Sequence, residues 1–130
     1  MPVDSKQINE RMIVTNQLES WIKNGLRDNK SIIVIGDFNA DPEKLDKIIN
    51  SNSNKKLEDK YKIILSLRSL GMFDSQTSIN QGYNQTWKGP LIDNKQAESR
   101  IDHIWITRNL IQDRLELIQY VTNFLIQTML

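Results

Sequence analysis

The stretch Ile32-Ile33-Val34-Ile35-Gly36-Asp37-Phe38-Asn39-Ala40-Asp41-Pro42 decides how this chain is read. Its first four residues are all β-branched, and an unbroken run of that kind predicts a short strand buried on both faces. Gly36 through Pro42 is rich in turn formers, so the strand hands over to a loop there. In layered α/β folds such strand ends are where ligands commonly sit. A carboxylate at Asp37 could hold a hard cation or orient an attacking water. The Asn39 amide both donates and accepts, and could bond a phosphate oxygen. The same residues also suit plain turn chemistry, with Asp and Asn bonding their own backbone.

Working outward, Asp4 and Ser5 offer N-caps, and Ile8, Met12, Leu18, Trp21 and Ile22 recur at near-helical spacing up to Gly25. After the loop, Asp41-Pro42 can start a short helix over Glu43 to Asn50. Residues 50–56 form a polar, low-complexity loop. Leu57, Tyr61, Ile64, Leu65, Arg68 and Leu70 then pattern an amphipathic helix closed by Gly71. Tyr83 to Lys88 and Ser99 to Thr107 read as strands of a long hairpin joined by Gly89-Pro90 and the polar stretch after it, and Arg114 to Val121 as a further strand. The order describes one mixed α/β (α+β) layered domain over residues 1–130. The apolar finish Phe124-Leu125-Ile126 and Met129-Leu130 suggests either truncation or a docked terminal element.

The chain has no cysteine, which excludes disulfides, thiolate metal sites and cysteine nucleophiles. A net charge of +1 argues against a non-specific nucleic-acid coat but is compatible with an acidic site behind a basic rim. The polar N-terminus lacks the apolar core of a signal peptide and no run reaches membrane-span length, so an intracellular protein is expected.

A second chemical motif is Ser99-Arg100-Ile101-Asp102-His103-Ile104-Trp105-Ile106. Strand alternation sends Arg100, Asp102, Ile104 and Ile106 to one face, and Ile101, His103 and Trp105 to the other. An Asp inside an apolar strand is costly unless it is bonded or functional. Taken with Gly36-Asp37-Phe38-Asn39-Ala40-Asp41, Leu70-Gly71-Met72-Phe73-Asp74 and Gln85-Thr86-Trp87, the chain resembles the endonuclease/exonuclease/phosphatase family. That family includes deoxyribonuclease I, apurinic-site endonucleases and, closest in feel, the endonuclease domains of non-LTR retrotransposons. The resemblance spans roughly residues 10 to 121.

The resemblance implies part of a four-layer α/β sandwich of the deoxyribonuclease I-like type. It implies hydrolysis of a phosphodiester or phosphomonoester assisted by Mg²⁺ or Mn²⁺, with DNA as the expected substrate of the complete domain. By position, Asp37 would contact the metal and help place the water. Asn39 would contact the scissile phosphate, and Asp102 would orient a catalytic histidine. The family's Ser/Thr-Asp-His stretch and its metal-binding Glu find no match, since Glu10 and Glu19 lie on the first helix. His103, the single histidine, follows Asp102 directly and is expected to pack rather than to catalyse. The expected picture is an incomplete domain, lacking the N-terminal portion and last strand, and inactive by itself. Two alternatives stand beside it: a non-catalytic transposon-derived remnant or nucleic-acid-binding module, and a phosphatase of a small substrate such as an inositol phosphate. Trp21, Trp87 and Trp105 are expected in the core, and Lys55, Lys56, Lys60 and Lys62 on a solvated helix face.

Overall fold

The β-branched run does become a strand, β1 (Ile33–Asp37), and it organises what surrounds it. The computed structural model describes residues 5–51, 56–78, 85–111 and 123–128. Its elements are α1 (Ser5–Arg27), β1, α2 (Pro42–Asn50), a 3₁₀ turn (Asp59–Tyr61), α3 (Lys62–Ser69), β2 (Phe73–Asp74), α4 (Ser75–Ser78), β3 (Trp87–Ile92), β4 (Lys95–Ser99) and β5 (Asp102–Ile106). β5 sits in the middle of an antiparallel three-stranded sheet, ordered β1-β5-β2, while β3 and β4 form a separate hairpin. The β1–β5 register pairs Ile33 with Ile106, Ile35 with Ile104 and Asp37 with Asp102. The expected mixture of helices and sheet is therefore present. The strand expected at Arg114 to Val121 lies outside the described residues.

One face of the sheet carries the main core. Ile22 of α1, Leu45 of α2, Tyr61, Ile64 and Leu67 of the α3 region, Met72 and Trp105 are buried together there. The other face holds a smaller cluster, Ile104 and Ile106 against Leu110, Ile111 and Leu125. Leu125 belongs to the helical residues 123–128, so this apolar segment is docked on the sheet. β1 lies at the sheet edge beyond that cover, and Ile33 and Ile35 are 54% and 50% exposed. The expectation of a strand buried on both faces is thus corrected: the run is apolar on both faces, but only the helix-side face is closed. Among the tryptophans only Trp105 is core; Trp21 and Trp87 are 63% and 44% exposed.

Local chemistry moves several expected boundaries. α1 runs past Gly25 to Arg27, because Asn29 takes the left-handed conformation (φ 56°) and the Asn29 and Lys30 amides cap the Leu26 and Gly25 carbonyls. Gly71 (φ 82°) ends α3 as expected, with Met72 N–H bonded to the Leu67 carbonyl. The hairpin turns within the polar stretch, at Asp93-Asn94, whose φ angles of 50° and 61° match the twist of the flanking strands. Gly89-Pro90 lies within β3 at a register shift between Lys88 and Leu91, where Pro loses no ladder bond. Lys56, Lys60 and Lys62 are on the surface as expected, the last two paired with Glu58 and Asp59, and Lys55 lies outside the described residues. No described helix is long and apolar enough to cross a membrane.

α2 begins with two devices in sequence. Asp41 Oδ1 accepts the Glu43 N–H at 2.9 Å, and Pro42 supplies a preset φ at the first turn. Asp41 Oδ2 also accepts the buried Arg100 N–H at 2.9 Å. Asp41→Ala therefore removes a cap and strands a buried donor, for an expected loss of roughly 2–4 kcal/mol in urea unfolding. A loss under 1 kcal/mol would mean that the Arg100 amide finds another partner.

Candidate active site

β1 and β5 run antiparallel, so the end of one meets the start of the other, and Asp37 and Asp102 become direct cross-strand partners. Both point to the face that also carries Ile33, Ile35, Ile104 and Ile106. Like charges placed directly opposite are destabilising in a sheet, which makes the pair a costly feature for a purely structural edge. Burial pushes the Asp102 carboxyl above its ordinary range; a hydrogen bond from Thr86 opposes the shift and the neighbouring Asp37 charge adds to it.

The loop after β1 is held tightly. Asp37 Oδ1 accepts the Asn39 N–H at 2.9 Å, and Asn39 adopts φ 51°, a left-handed conformation that Asn tolerates well. The turn reading of this loop is therefore correct as local structure, and it leaves Asp37 and Asn39 exposed at the sheet edge. Phe38, between them, donates its N–H to the Ile101 carbonyl at 2.7 Å and turns its ring inward.

That ring meets His103. The two stack with centroids 4.8 Å apart and planes 9° apart. His103 is buried, its Nε2 donating to the Arg100 carbonyl (2.6 Å) and its Nδ1 accepting from Trp105 Nε1 (3.4 Å). Both partners suit the neutral ring alone, since a second proton would face a donor. Burial above all, with the Arg100 charge, lowers the His103 pKa from 6.5 to about 4, against the pull of its bond to the Arg100 carbonyl. The only imidazole in the chain is thus a packing residue on the face opposite Asp102.

The sign of the resulting pH effect follows from linkage. A histidine whose folded pKa lies below its unfolded value binds its proton more readily when unfolded, so stability falls as pH drops from 6.5 towards 4. The expected loss is about 3 kcal/mol over that window. Urea melts at several pH values should show this slope in the natural protein and a shallower one in His103→Phe. Equal slopes would contradict the assignment.

Ser99 to Thr107 is not the single strand expected. β4 stops at Ser99 and β5 starts at Asp102, because Arg100 and Ile101 are diverted into other bonds. Thr86 Oγ1 accepts both the Ile101 and Asp102 amides, at 2.9 and 3.0 Å. Arg100 does not join Asp102 by alternation: its guanidinium goes to Asp74 and Glu43. Burial raises the half-exposed Glu43 carboxyl, while the Arg100 charge opposes the rise. Sequence reasoning used Thr86 and Asp74 only as landmarks; the polar residues flanking Trp87 and Phe73 were the available signal that they hold the site together.

Gly36-Asp37-Phe38-Asn39 and Asp102 thus meet at one end of the sheet, where β1 finishes and the central strand β5 begins. The model of the Endonuclease/Exonuclease/phosphatase family matches residues 3–118. The chain belongs to that family. A comparison with curated proteins found no match. Family membership makes the chain a hydrolase-type domain of the phosphodiesterase and phosphatase class. A cleft of about 660 Å³ opens beside Asp37, Phe38 and Asn39, between α1 (Met12, Thr15) and the α3 region (Lys60, Ile63). Among the described residues no group of three or more His, Cys, Asp or Glu side chains gathers closely enough to hold a metal ion. Asp37 and Asp102 are two carboxylates side by side, which fits an ion such as Mg²⁺ that keeps several of its waters.

Proposed function

We propose that the end of the sheet carrying Asp37, Asn39 and Asp102 is the phosphate-binding side of a metal-dependent, nuclease-like phosphodiesterase site. The observation that carries this reading is the cross-strand pairing of Asp37 with Asp102 in a family domain, a charge repulsion that a bound cation would relieve. Asp37, with Asp102 beside it, would hold Mg²⁺ or Mn²⁺, which when bound would polarise a phosphoryl oxygen and favour ionisation of water. Asn39 would donate its side-chain amide to a phosphate oxygen, and Asp102 would accept a hydrogen bond from, and so orient, a base other than His103. The exposed Ile33 and Ile35 face supports the four-layer sandwich, in which a second sheet would cover it. DNA is the proposed substrate.

His103 is buried and paired, so it offers no base for the attacking water, and turnover by this chain alone is expected to be slow or absent. The experiment is incubation with supercoiled plasmid and Mg²⁺, with and without 0.1 M-range imidazole as an external base, against an EDTA control. The reading expects weak nicking that imidazole stimulates and EDTA stops. Nicking that persists in EDTA, or phosphate release from inositol phosphates with no action on DNA, would contradict it. Salt-sensitive DNA binding with no turnover in any condition would favour a binding module instead.

A further inference from the structure

We propose that Arg100 is a positioning residue that fixes Asp102 and the Asp37–Asn39 loop relative to each other. Its catalytic consequence rests on the function proposed above; its geometric consequence does not.

Residues 100 and 101 lie between β4 and β5, outside both strands, so no ladder sets their conformation. Other bonds must do so. The Arg100 guanidinium, 1% exposed, grips Asp74 with two parallel bonds (Nη1–Oδ1 3.2 Å, Nη2–Oδ2 2.5 Å) and reaches Glu43 Oε1 at 3.5 Å. Its backbone N–H is held by Asp41, the N-cap of α2, and its carbonyl by the His103 ring. One residue thereby ties the start of α2, the end of β2 and the start of β5. The next carbonyl, Ile101, receives the Phe38 N–H from the middle of the catalytic loop. Two residues on, the chain delivers Asp102 opposite Asp37.

The planar two-toothed grip is the part that lysine cannot copy, because an ammonium is a point charge. Arg100→Lys keeps the charge balance around Asp41 and Asp74 and the main-chain bonds to Asp41, His103 and Thr86, but loses the planar grip on Asp74 that adds to them in fixing residues 100 and 101. A small shift there moves Asp102 and loosens the Phe38–Ile101 bond together.

The test compares the natural protein with Arg100→Lys and with Arg68→Met, which removes the half-exposed Arg68–Asp46 pair and serves as the control. Two quantities are read on folded protein: amide hydrogen exchange at Phe38, and Mn²⁺ affinity. Arg100→Lys is expected to speed Phe38 exchange and weaken Mn²⁺ binding by about 10- to 100-fold, with Ile64 and Leu67 exchange little changed. Arg68→Met should alter neither. A folded Arg100→Lys with unchanged Phe38 exchange overturns the proposal. If the natural protein binds no Mn²⁺, the metal site fails while Phe38 exchange still decides the role of Arg100. Should Arg100→Lys not fold, Arg100→Met/Asp74→Leu replaces the ion pair by apolar groups and is read in the same way. If neither folds, Arg100 is a determinant of the fold and not a positioning residue, and the proposal fails.

Discussion

Asp37→Asn is expected to leave the fold intact while weakening Mn²⁺ or Mg²⁺ binding by about one to two orders of magnitude and any metal-dependent cleavage by roughly 10³-fold. The substitution is chosen because the amide oxygen still accepts the Asn39 N–H, so the turn after β1 survives. What it removes is the charge. A residue present only to shape the turn would tolerate this change, and stability would move little under either view. The cross-strand repulsion with Asp102 also disappears, so the variant should be as stable as the natural protein or slightly more so, by up to about 0.5 kcal/mol. Function lost with stability kept or gained is the pattern of a site that holds a costly arrangement for use. Isothermal titration with Mn²⁺ and a thermal melt together check it; unchanged affinity would return Asp37 to turn chemistry.

The largest structural effect belongs to Trp105. It is 1% exposed at the centre of the sheet, in the main core cluster, with its Nε1–H bonded to His103. β5 is the middle strand, so a cavity there loosens β1 and β2 at once. Trp105→Ala should cost about 3–5 kcal/mol, enough to remove much of the stability of a domain this size. Chemical denaturation followed by far-UV circular dichroism would measure it. A cost below 1 kcal/mol would mean that the core is not organised around β5.

How much of this could be read beforehand divides along physical lines. The strand β1 was legible over Ile33 to Ile35, because a β-branched run bounded by turn formers leaves few alternatives, but its extension through Gly36 and Asp37 was not, since pairing with β5 sets that end. The α2 start was legible because Asp41-Pro42 is a local signal with a local cause. The cross-strand meeting of Asp37 and Asp102 was not, since register is set by pairing across 65 residues and no pattern states it. The break between β4 and β5 was hidden for the same reason. Arg100 fitted the alternation of a strand, and only its bonds to Asp41, Asp74 and Glu43 pull it out. The polar stretch after Gly89-Pro90 marks a connection but not the tight turn within it: Asp93-Asn94 supplies the left-handed pair that such a turn needs, while Gly89-Pro90 falls inside β3. For His103, simple alternation was sufficient: it put the ring on the face opposite Asp102, where it stacks on Phe38.

Asp37 and Asp102, with Asn39 beside them, are proposed to form one cation-binding site at the end of the sheet. Paramagnetic broadening of backbone amide signals on adding Mn²⁺ tests it most directly, because broadening falls steeply with distance and needs no turnover. The account predicts early loss of the Asp37, Phe38, Asn39 and Asp102 signals, with Ile64 and Leu67 in the helix-side core spared, and no such loss in Asp37→Asn. Broadening centred elsewhere, or the same pattern in Asp37→Asn, would contradict it.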